Sequence, residues 1–331
     1  MERQTMKVLI TGGAGFIGSH LAESLLKGGY TVTVIDDLST GRLGNIQHLL
    51  KNPHFRFVFD SVRNESLMNQ LVESCDVIVH LAAAVGVRLI VERPVHTIET
   101  NIHGTEVVLA AANRFHKKVL LASTSEVYGK SEAIPFREDD DTVLGSTRFS
   151  RWSYACSKAI DEFLGLAYYQ QYDLPVIIVR LFNTVGPRQT GQYGMVIPRF
   201  VERALRNEPL EIYGSGKQTR CFCCVFDVVR ALQDLINCPE ACGQVFNLGS
   251  NEEISIDNLA DRIIAMTQSR SRKVYRDFEQ VFGRPFDDMV RRVPCLERIR
   301  QVIHFQPTYT LEQTLSLIIE DMKKQLPSAE R

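Results

Sequence analysis

Tyr154 and Lys158 are the two residues whose types and spacing point most directly to chemistry. They lie four residues apart in the segment YACSK, at the start of a helical pattern over 154–172, so their side chains project from one face of a helix. A phenol with an unperturbed pKa of about 10 is a poor base at neutral pH, but a nearby ammonium lowers that pKa. The pair predicts a tyrosine that takes and returns a substrate proton.

A second polar segment, STSEVYG at 123–129, follows a strand pattern. We therefore expect it to lie where that strand opens onto a ligand cleft, with the Thr124 hydroxyl bonded to the same substrate hydroxyl as Tyr154. Surface Tyr–Lys pairs are common on helices. The catalytic prediction therefore depends on both segments and a cofactor site occurring in one chain.

The predicted cofactor site is the glycine-rich turn TGGAGFIG at 11–18, which joins a strand pattern to a helical one. Glycines at its corners allow a tight turn, close approach of a pyrophosphate and close packing of the helix on the strand. The helix N-terminus directs free N–H groups toward the phosphates. An ordinary glycine-rich loop is the alternative, and the flanking elements argue against it. The residues predicted to bind the cofactor here are Gly12, Gly15, Phe16, Ile17 and Gly18.

Asp36 ends the second strand pattern, over 31–35, and is placed to accept hydrogen bonds from the two adenosine ribose hydroxyls. A carboxylate there repels a 2′-phosphate, so the predicted cofactor is NAD rather than NADP. With NAD bound, the positive charge of the nicotinamide should add to that of Lys158 in lowering the pKa of Tyr154. Tyr154 is expected to take the hydroxyl proton as a hydride leaves the same carbon, and Lys158 is expected to assist and to contact the cofactor.

The composition is that of a globular protein: 331 residues, 44% hydrophobic and 23% charged. A net charge of −1 gives no sign of a nucleic-acid or membrane surface, and we find no apolar run of membrane-spanning length and no signal peptide. The eight cysteines fit no zinc pattern, so no metal site is expected. They indicate reduced, mostly buried thiols in a cytoplasmic protein.

Strand and helix patterns alternate through the first half of the chain, which predicts an α/β fold with a Rossmann-type doubly wound parallel sheet. Residues 1–181 are predicted to form the NAD-binding domain, with 226–250 returning to it through a strand at 245–248. Residues 182–331 are predicted to form a smaller, mainly substrate-binding α/β part, whose last five residues are frayed.

Taken together, the motifs resemble those of the extended short-chain dehydrogenase/reductase family, specifically its nucleotide-sugar epimerases, dehydratases and decarboxylases. The resemblance covers residues 6–324 and implies NAD as cofactor and a nucleotide sugar as substrate. The motifs that carry it are TGGAGFIG, the strand-end Asp36, HLAA at 80–83, STSEVYG, YACSK, RLFNTVGPR at 180–188, GSGKQTR at 214–220 and RRVP at 291–294.

The resemblance also implies further binding residues. An adenine contact falls on Ser61 and Val62 or, with a one-residue shift, on Asp60 and Ser61. The other implied cofactor contacts are Leu81, Ala82, Ala83 and Asn101.

On the substrate side, the resemblance implies that Asn183 and Arg220 bind the diphosphate, a task that suits the bidentate geometry of arginine. Arg292 stands where decarboxylases place an arginine near the substrate, with a phosphate clamp as the alternative. Arg151 is implied either beside the sugar or in a structural ion pair.

The segment STSEVYG is similar to that of UDP-glucuronate decarboxylases, which adds Ser125 and Glu126 to the catalytic candidates. The 4,6-dehydratases usually carry aspartate where Ser125 stands, which argues against dehydration. The segment RWSYAC at 151–156 resembles plant UDP-apiose/UDP-xylose synthases and the decarboxylase domain of the aminoarabinose-pathway enzyme. Apiose-forming enzymes carry cysteine in place of Ser125, so ring contraction is not expected.

The resemblance thus implies oxidative decarboxylation of UDP-glucuronate through a 4-keto intermediate, giving UDP-xylose or UDP-4-ketopentose. One alternative is a UDP-sugar 4-epimerase, acting on UDP-glucose/galactose or UDP-glucuronate/galacturonate with the same Thr–Tyr–Lys groups. A non-catalytic dinucleotide sensor is the other. The helices at 95–115 and 154–172 resemble those that pair subunits through a four-helix bundle, which implies a homodimer.

Overall fold

The structure is a computed structural model that describes residues 5–192, 194–278, 281 and 289–325. The strands are β1 Lys7–Thr11, β2 Thr31–Asp36, β3 Phe55–Phe59, β4 Val77–His80, β5 Lys118–Thr124, β6 Val176–Leu181, β7 Thr184–Val185, β8 Leu210–Tyr213, β9 Thr219–Cys221, β10 Cys223–Cys224, β11 Val245–Leu248, β12 Glu253–Ser255 and β13 Lys273–Arg276. The helices are α1 Phe16–Lys27, α2 Glu65–Glu73, α3 Val87–Glu92, α4 Pro94–Phe115, α5 Arg151–Tyr172, α6 Val196–Leu205, α7 Val225–Ile236, α8 Ile256–Thr267, α9 Glu297–Ile303 and α10 Leu311–Gln325.

Across the described residues, seven strands form one parallel sheet in the order β11–β6–β5–β4–β1–β2–β3. Apolar, β-branched runs suit such strands because both faces of the sheet are covered; every residue of β4 is buried. The order reverses between β1 and β4, as in a doubly wound fold. The predicted fold class is confirmed.

β11 reaches the sheet from a distant part of the chain and pairs with β6 from Val245↔Ile178 to Leu248↔Leu181. The predicted return of residues 245–248 to the main sheet is therefore confirmed. The division of the chain into two domains stays a prediction.

Side chains alternate between the two faces of the sheet, and each face has its own apolar core. Val8 and Ile10 of β1 join the core that α1 and α7 cover. Leu9, between them, joins the opposite core with α2 and α4. Two buried layers hold the strands rigidly, so the loops at their carboxyl ends are held in fixed positions.

A smaller lobe packs beyond those carboxyl ends. Its core joins α6, α8 and α10 through residues such as Phe200, Leu259 and Leu315. Short strand pairs complete it: β7 with β10, β9 with β12, and β8 with β13. At the start of α10, the Thr310 side chain accepts a hydrogen bond from the Gln313 N–H at 3.2 Å, as expected for a helix cap.

All eight cysteines are described and free, and five of them are buried. Within the described part of the chain, no helix combines the length and apolarity needed to cross a membrane. The last five residues, predicted to be frayed, lie outside the described residues.

Candidate active site

The glycine-rich turn between β1 and α1 has the backbone geometry that only glycine allows. Gly12 has φ +69°, and a Cβ there would lie 2.8 Å from the Ala82 backbone nitrogen. A Cβ on Gly18 would overlap the Gly12 carbonyl oxygen. Gly15, the residue before α1, has no side chain to cap the helix, so its first-turn N–H groups stay available to a ligand. This cradle fits a pyrophosphate.

Asp36 is fixed at the end of β2 by two backbone donors. Its Oδ2 accepts the Ala14 N–H at 2.9 Å, and its Oδ1 accepts the Leu38 N–H at 2.8 Å. Burial raises the pKa of Asp36, whereas these hydrogen bonds lower it. Gly41 lies so close that a Cβ there would be 2.7 Å from Oδ1. An ionised carboxylate has about four acceptor positions, which leaves capacity for a ribose.

A cavity of about 840 Å³ extends from this turn to the smaller lobe. Nearly all of the site residues predicted from the sequence line it. They are Gly12, Gly15, Phe16, Ile17, Gly18, Asp36, Ser61, Val62, Leu81, Ala82, Ala83, Thr124, Ser125, Glu126, Arg151, Tyr154, Lys158, Asn183, Arg220 and Arg292. Asp60 lines it as well, so both registers of the adenine contact remain open.

Asn101 is the exception, because the structure places it behind the cavity wall. Its Oδ1 accepts the Ala84 N–H at 2.8 Å, and its Nδ2 donates to the Ser157 hydroxyl at 3.2 Å. Both ends of the amide therefore tie the loop after β4 to α5. Asn101 holds this loop beside the cavity, and its contact with the cofactor stays a prediction.

Tyr154 lies in the first turn of α5, buried against the end of β5. A hydrogen bond with the Thr124 hydroxyl lowers its pKa, as expected if the two share a substrate hydroxyl. Burial, and then the negative charge of Glu126, raise that pKa more strongly. The predicted lowering of this pKa depends on the charge of a bound nicotinamide as well as on Lys158, and it stays a prediction. The charge of Lys158 is not among the largest influences on the pKa of Tyr154. The contact between Lys158 and Asp161 offers a reason.

Lys158 donates a hydrogen bond to the Asp161 carboxylate, with 2.8 Å between Nζ and Oδ2. Both side chains are only 3% exposed. Asp161 follows the lysine by three residues on the same helix face. The sequence analysis missed Asp161, although this spacing was a readable signal.

Glu126 lies between two arginines. Its Oε1 is 3.4 Å from Nη2 of Arg151, at the start of α5, and 3.3 Å from Nη2 of Arg292. Its Oε2 is buried and has no hydrogen-bond partner among the described residues. Arg151 forms an ion pair and also lines the cavity, so both predicted roles for it remain open.

Asn183 and Arg220 line the cavity on the side of the smaller lobe. The Asn183 amide donates to the Cys221 carbonyl at 2.9 Å, which fixes its orientation. Arg220 donates to the Thr219 carbonyl at 2.8 Å.

Two lining residues that the sequence analysis missed are Arg199 and Tyr213. The guanidinium carbon of Arg199 lies 3.9 Å from the Tyr213 ring centroid, a close cation–π contact. Nothing in a linear motif links these positions; only the packing of α6 against β8 brings them together.

A pyrophosphate cradle, a strand-end acid and a Thr–Tyr–Lys set along one cavity define a short-chain dehydrogenase/reductase. The sequence profile described as GDP-mannose 4,6 dehydratase matches residues 9–318. The chain belongs to this family, and the family resemblance predicted from its motifs is confirmed.

Several characterised relatives are similar over almost the whole chain. A UDP-N-acetyl-alpha-D-glucosaminuronate decarboxylase of Bacillus cytotoxicus is 43% identical, over 95% of this chain and 97% of the relative. UDP-glucuronic acid decarboxylase 1 of Danio rerio is 35% identical, over 98% of this chain and 74% of the relative. Among solved structures, UDP-glucuronic acid 4-epimerase of Bacillus cereus, in complex with UDP-glucuronic acid and NAD, superposes with a TM-score of 0.88 at 29% identity, covering 97% of this chain and 100% of that one.

Proposed function

We propose that this chain is an NAD-dependent decarboxylase of a UDP-linked uronic acid, with UDP-glucuronate as the first candidate substrate. It oxidises the 4-hydroxyl and releases the carboxylate as carbon dioxide, giving UDP-4-ketopentose or, after reduction, UDP-xylose. The observation that carries the proposal is the Arg151–Glu126–Arg292 cluster, which lies in the same cavity as Thr124, Tyr154 and Lys158.

The cradle between β1 and α1, the Asp36 carboxylate and the Tyr154–Lys158 pair are the residues that would hold NAD. Bound NAD supplies the hydride acceptor and a ring charge that favours the Tyr154 phenolate. We assign NAD binding to residues 1–181 together with 226–250. Residues 182–331 supply most of the nucleotide-sugar contacts, Asn183 and Arg220 being the diphosphate ligands.

Proton transfer is the task of Tyr154. Its hydroxyl and that of Thr124 are joined in one hydrogen bond, so a sugar hydroxyl that enters between them meets both an acceptor and a donor. Because burial raises the pKa of Tyr154, the phenolate is disfavoured until positive charge enters the site. This dependence couples proton removal to a filled cofactor site.

Carboxylate loss is the task of the arginine cluster. Oxidation at carbon 4 makes a β-keto acid, whose carboxylate leaves readily because the electron pair moves into the ketone. Arg151 and Arg292 bring positive charge to the place where the enolate forms, which stabilises developing negative charge. Glu126, with one buried oxygen lacking a partner among the described residues, is suited to handle the proton at carbon 5.

The experiment is to incubate the purified protein with UDP-glucuronate, without added NAD, and to measure carbon dioxide and nucleotide products. Carbon dioxide with a UDP-pentose or UDP-4-ketopentose supports the proposal. UDP-galacturonate without gas would instead indicate the 4-epimerase, the alternative that the Bacillus cereus structure favours. Inertness toward every nucleotide sugar would leave the dinucleotide sensor.

The same assay with UDP-N-acetylglucosaminuronate tests a second sugar. That substrate is named for the 43% identical relative, and it carries the same carboxylate and 4-hydroxyl. Faster release of carbon dioxide from this sugar would make it the preferred substrate in place of UDP-glucuronate, from which it differs at carbon 2. The decarboxylation chemistry would be unchanged.

We also propose a homodimer through α4 and α5, which pack against each other. Their outer faces expose large apolar side chains, among them Val95 at 66% and Phe163 at 75% exposure. Exposed apolar side chains on two adjacent helices favour burial against a second copy, as in the four-helix bundle that the family resemblance implies. Replacing Phe163 by glutamate should shift the species seen by light scattering from dimer to monomer. A wild-type protein that is monomeric at micromolar concentration would refute the dimer.

A further inference from the structure

Asp161 forms the strongest polar contact of Lys158, yet it lies outside the YACSK motif and does not line the cavity. It belongs to α5, less than one helical turn beyond the lysine. Burying an ammonium without a countercharge is costly, so a carboxylate at 2.8 Å offsets that cost for Lys158 and holds its Nζ in one place. The same carboxylate offsets the positive field of the lysine at Tyr154.

A chain of buried hydrogen bonds leads from the cofactor turn to Asp161. The Thr11 hydroxyl lies 2.7 Å from Nδ1 of His80, and Nε2 of His80 lies 3.2 Å from the Thr105 hydroxyl. Burial raises the pKa of Asp161, whereas the Lys158 ammonium and a side-chain hydrogen bond with Thr105 lower it. Thr11 also receives the Ala82 N–H at 3.2 Å. The chain therefore begins beside Gly12 and ends at the partner of Lys158.

The direction of these hydrogen bonds follows from the charge state of His80. Burial lowers the pKa of His80 to about 3, so at neutral pH one ring nitrogen donates and the other accepts. If Thr11 donates to Nδ1, then Nε2–H donates to Thr105, and the Thr105 proton is free to bond Asp161. In the reverse direction the Thr105 hydroxyl donates to Nε2 of His80, and its proton is then not available to Asp161. Only the first direction serves an ionised Asp161.

We propose that Asp161 is a positioning residue that anchors the Lys158 ammonium beneath Tyr154 and sets how much of its charge Tyr154 feels, with Thr105 as a second donor to the carboxylate. The inference rests on the proposed function only in that Tyr154 and Lys158 act on a nucleotide sugar, a role that decarboxylase and epimerase share.

The Asp161→Asn variant removes the negative charge of the side chain and keeps its shape. The amide oxygen still accepts from Lys158, but the negative charge, which raises the pKa of Tyr154, is gone. The acid limb of the kcat–pH profile should therefore move to lower pH by about half a unit or more. The other ionisable groups whose charges act on Tyr154 or Asp161 are Glu126, Arg292, Lys158 and Glu162, and His80 acts with Lys158; the variant leaves them all in place.

Asp161→Leu removes the anchor as well. We expect kcat to fall by about tenfold or more with little change in KM, because Lys158 is no longer held beside the reacting groups. Thr105→Val, which keeps the shape of the side chain and deletes the second donor, should give a smaller shift of the acid limb. Asp139→Asn is the control, since it neutralises an exposed carboxylate paired with Arg298 on the surface.

The decisive measurements are the kcat–pH profile and the tyrosinate absorbance titration, the latter taken as the difference from Tyr154→Phe, with and without NAD. A lower apparent pKa in Asp161→Asn, with unchanged thermal unfolding, supports the proposal. Profiles of Asp161→Asn that superpose on wild type and on Asp139→Asn would overturn it. The absorbance titration needs no substrate, so it decides the role of Asp161 even if every nucleotide sugar proves inert.

Discussion

Two ionic clusters that each include a residue of α5 differ in composition and in where they lie. We call Lys158 and Asp161 the closed cluster, because it is buried, is formed within one helix and has a 2.8 Å contact. We call Arg151, Glu126 and Arg292 the open cluster. It joins three distant segments at 3.3–3.4 Å, lines the cavity, and leaves Glu126 Oε2 without a hydrogen bond from the described residues.

The difference teaches which charges are structural and which remain available to a ligand. Asp161 balances the charge of Lys158 from outside the cavity lining, whereas Arg151 and Arg292 share one carboxylate within that lining, so the open cluster carries a formal excess of positive charge toward an entering anion. A substrate carboxylate is such an anion. On our proposal, the closed cluster positions Lys158, and the open cluster binds the substrate carboxylate and takes part in its loss.

The largest expected effect comes from the residue between the two clusters. Tyr154→Phe removes the proton acceptor and should lower kcat by about a thousandfold, with NAD affinity nearly unchanged because the cradle is untouched. Steady-state turnover and calorimetric NAD titration measure the two quantities. Substantial remaining turnover would mean that another group takes the proton. It would contradict the roles that we propose for both clusters, which depend on Tyr154 as the proton acceptor.

Glu126→Gln tests the open cluster. It keeps the shape of the side chain and removes the countercharge of the two arginines, so the KM for UDP-glucuronate should fall. Carbon dioxide release should fall by about a hundredfold, and oxidation at carbon 4, followed by the absorbance of the reduced cofactor, should fall less. An equal loss of both steps would contradict the division of roles between Glu126 and Tyr154.

Stability against pH tests the buried chain behind the closed cluster. Burial lowers the pKa of His80 to about 3, below its ordinary value near 6.5, so the unfolded state binds the proton first. Stability from this histidine is complete above pH 6.5 and is lost as the pH falls toward 3. Between pH 6.5 and 5 the free energy of unfolding should fall by about 2 kcal/mol.

Urea denaturation of wild type and His80→Asn at both pH values measures this loss, since the asparagine variant lacks the titrating group. Parallel losses in the two proteins would assign the pH dependence to other groups.

Local features of the fold and the site were readable from the sequence, and long-range pairings were not. The glycine spacing at 12, 15 and 18 and the four-residue step from Tyr154 to Lys158 depend only on local backbone geometry, and the structure places all five residues on one cavity. The sharing of Glu126 by two arginines joins segments far apart in the chain, so no spacing rule predicts it.

The same reasoning explains what the sequence left out. The family resemblance implied Asn101, but the contacts of its amide with the loop at Ala84 and with Ser157 could not be read from a motif. The prediction for Tyr154 counted positive charges nearby and did not count burial or the charge of Glu126, which raise its pKa. Burial and long-range polar contacts of this kind are visible only in three dimensions.

The pairing of β11 with β6 also limits how this protein can be divided. A fragment that stops at Leu181 would contain the whole dinucleotide cradle but would leave the outer edge of β6 bare, with its row of backbone donors and acceptors unpaired. Exposed edges of this kind recruit strands from other molecules. We therefore expect a fragment built around the dinucleotide cradle to need the four residues of β11 in order to stay monomeric.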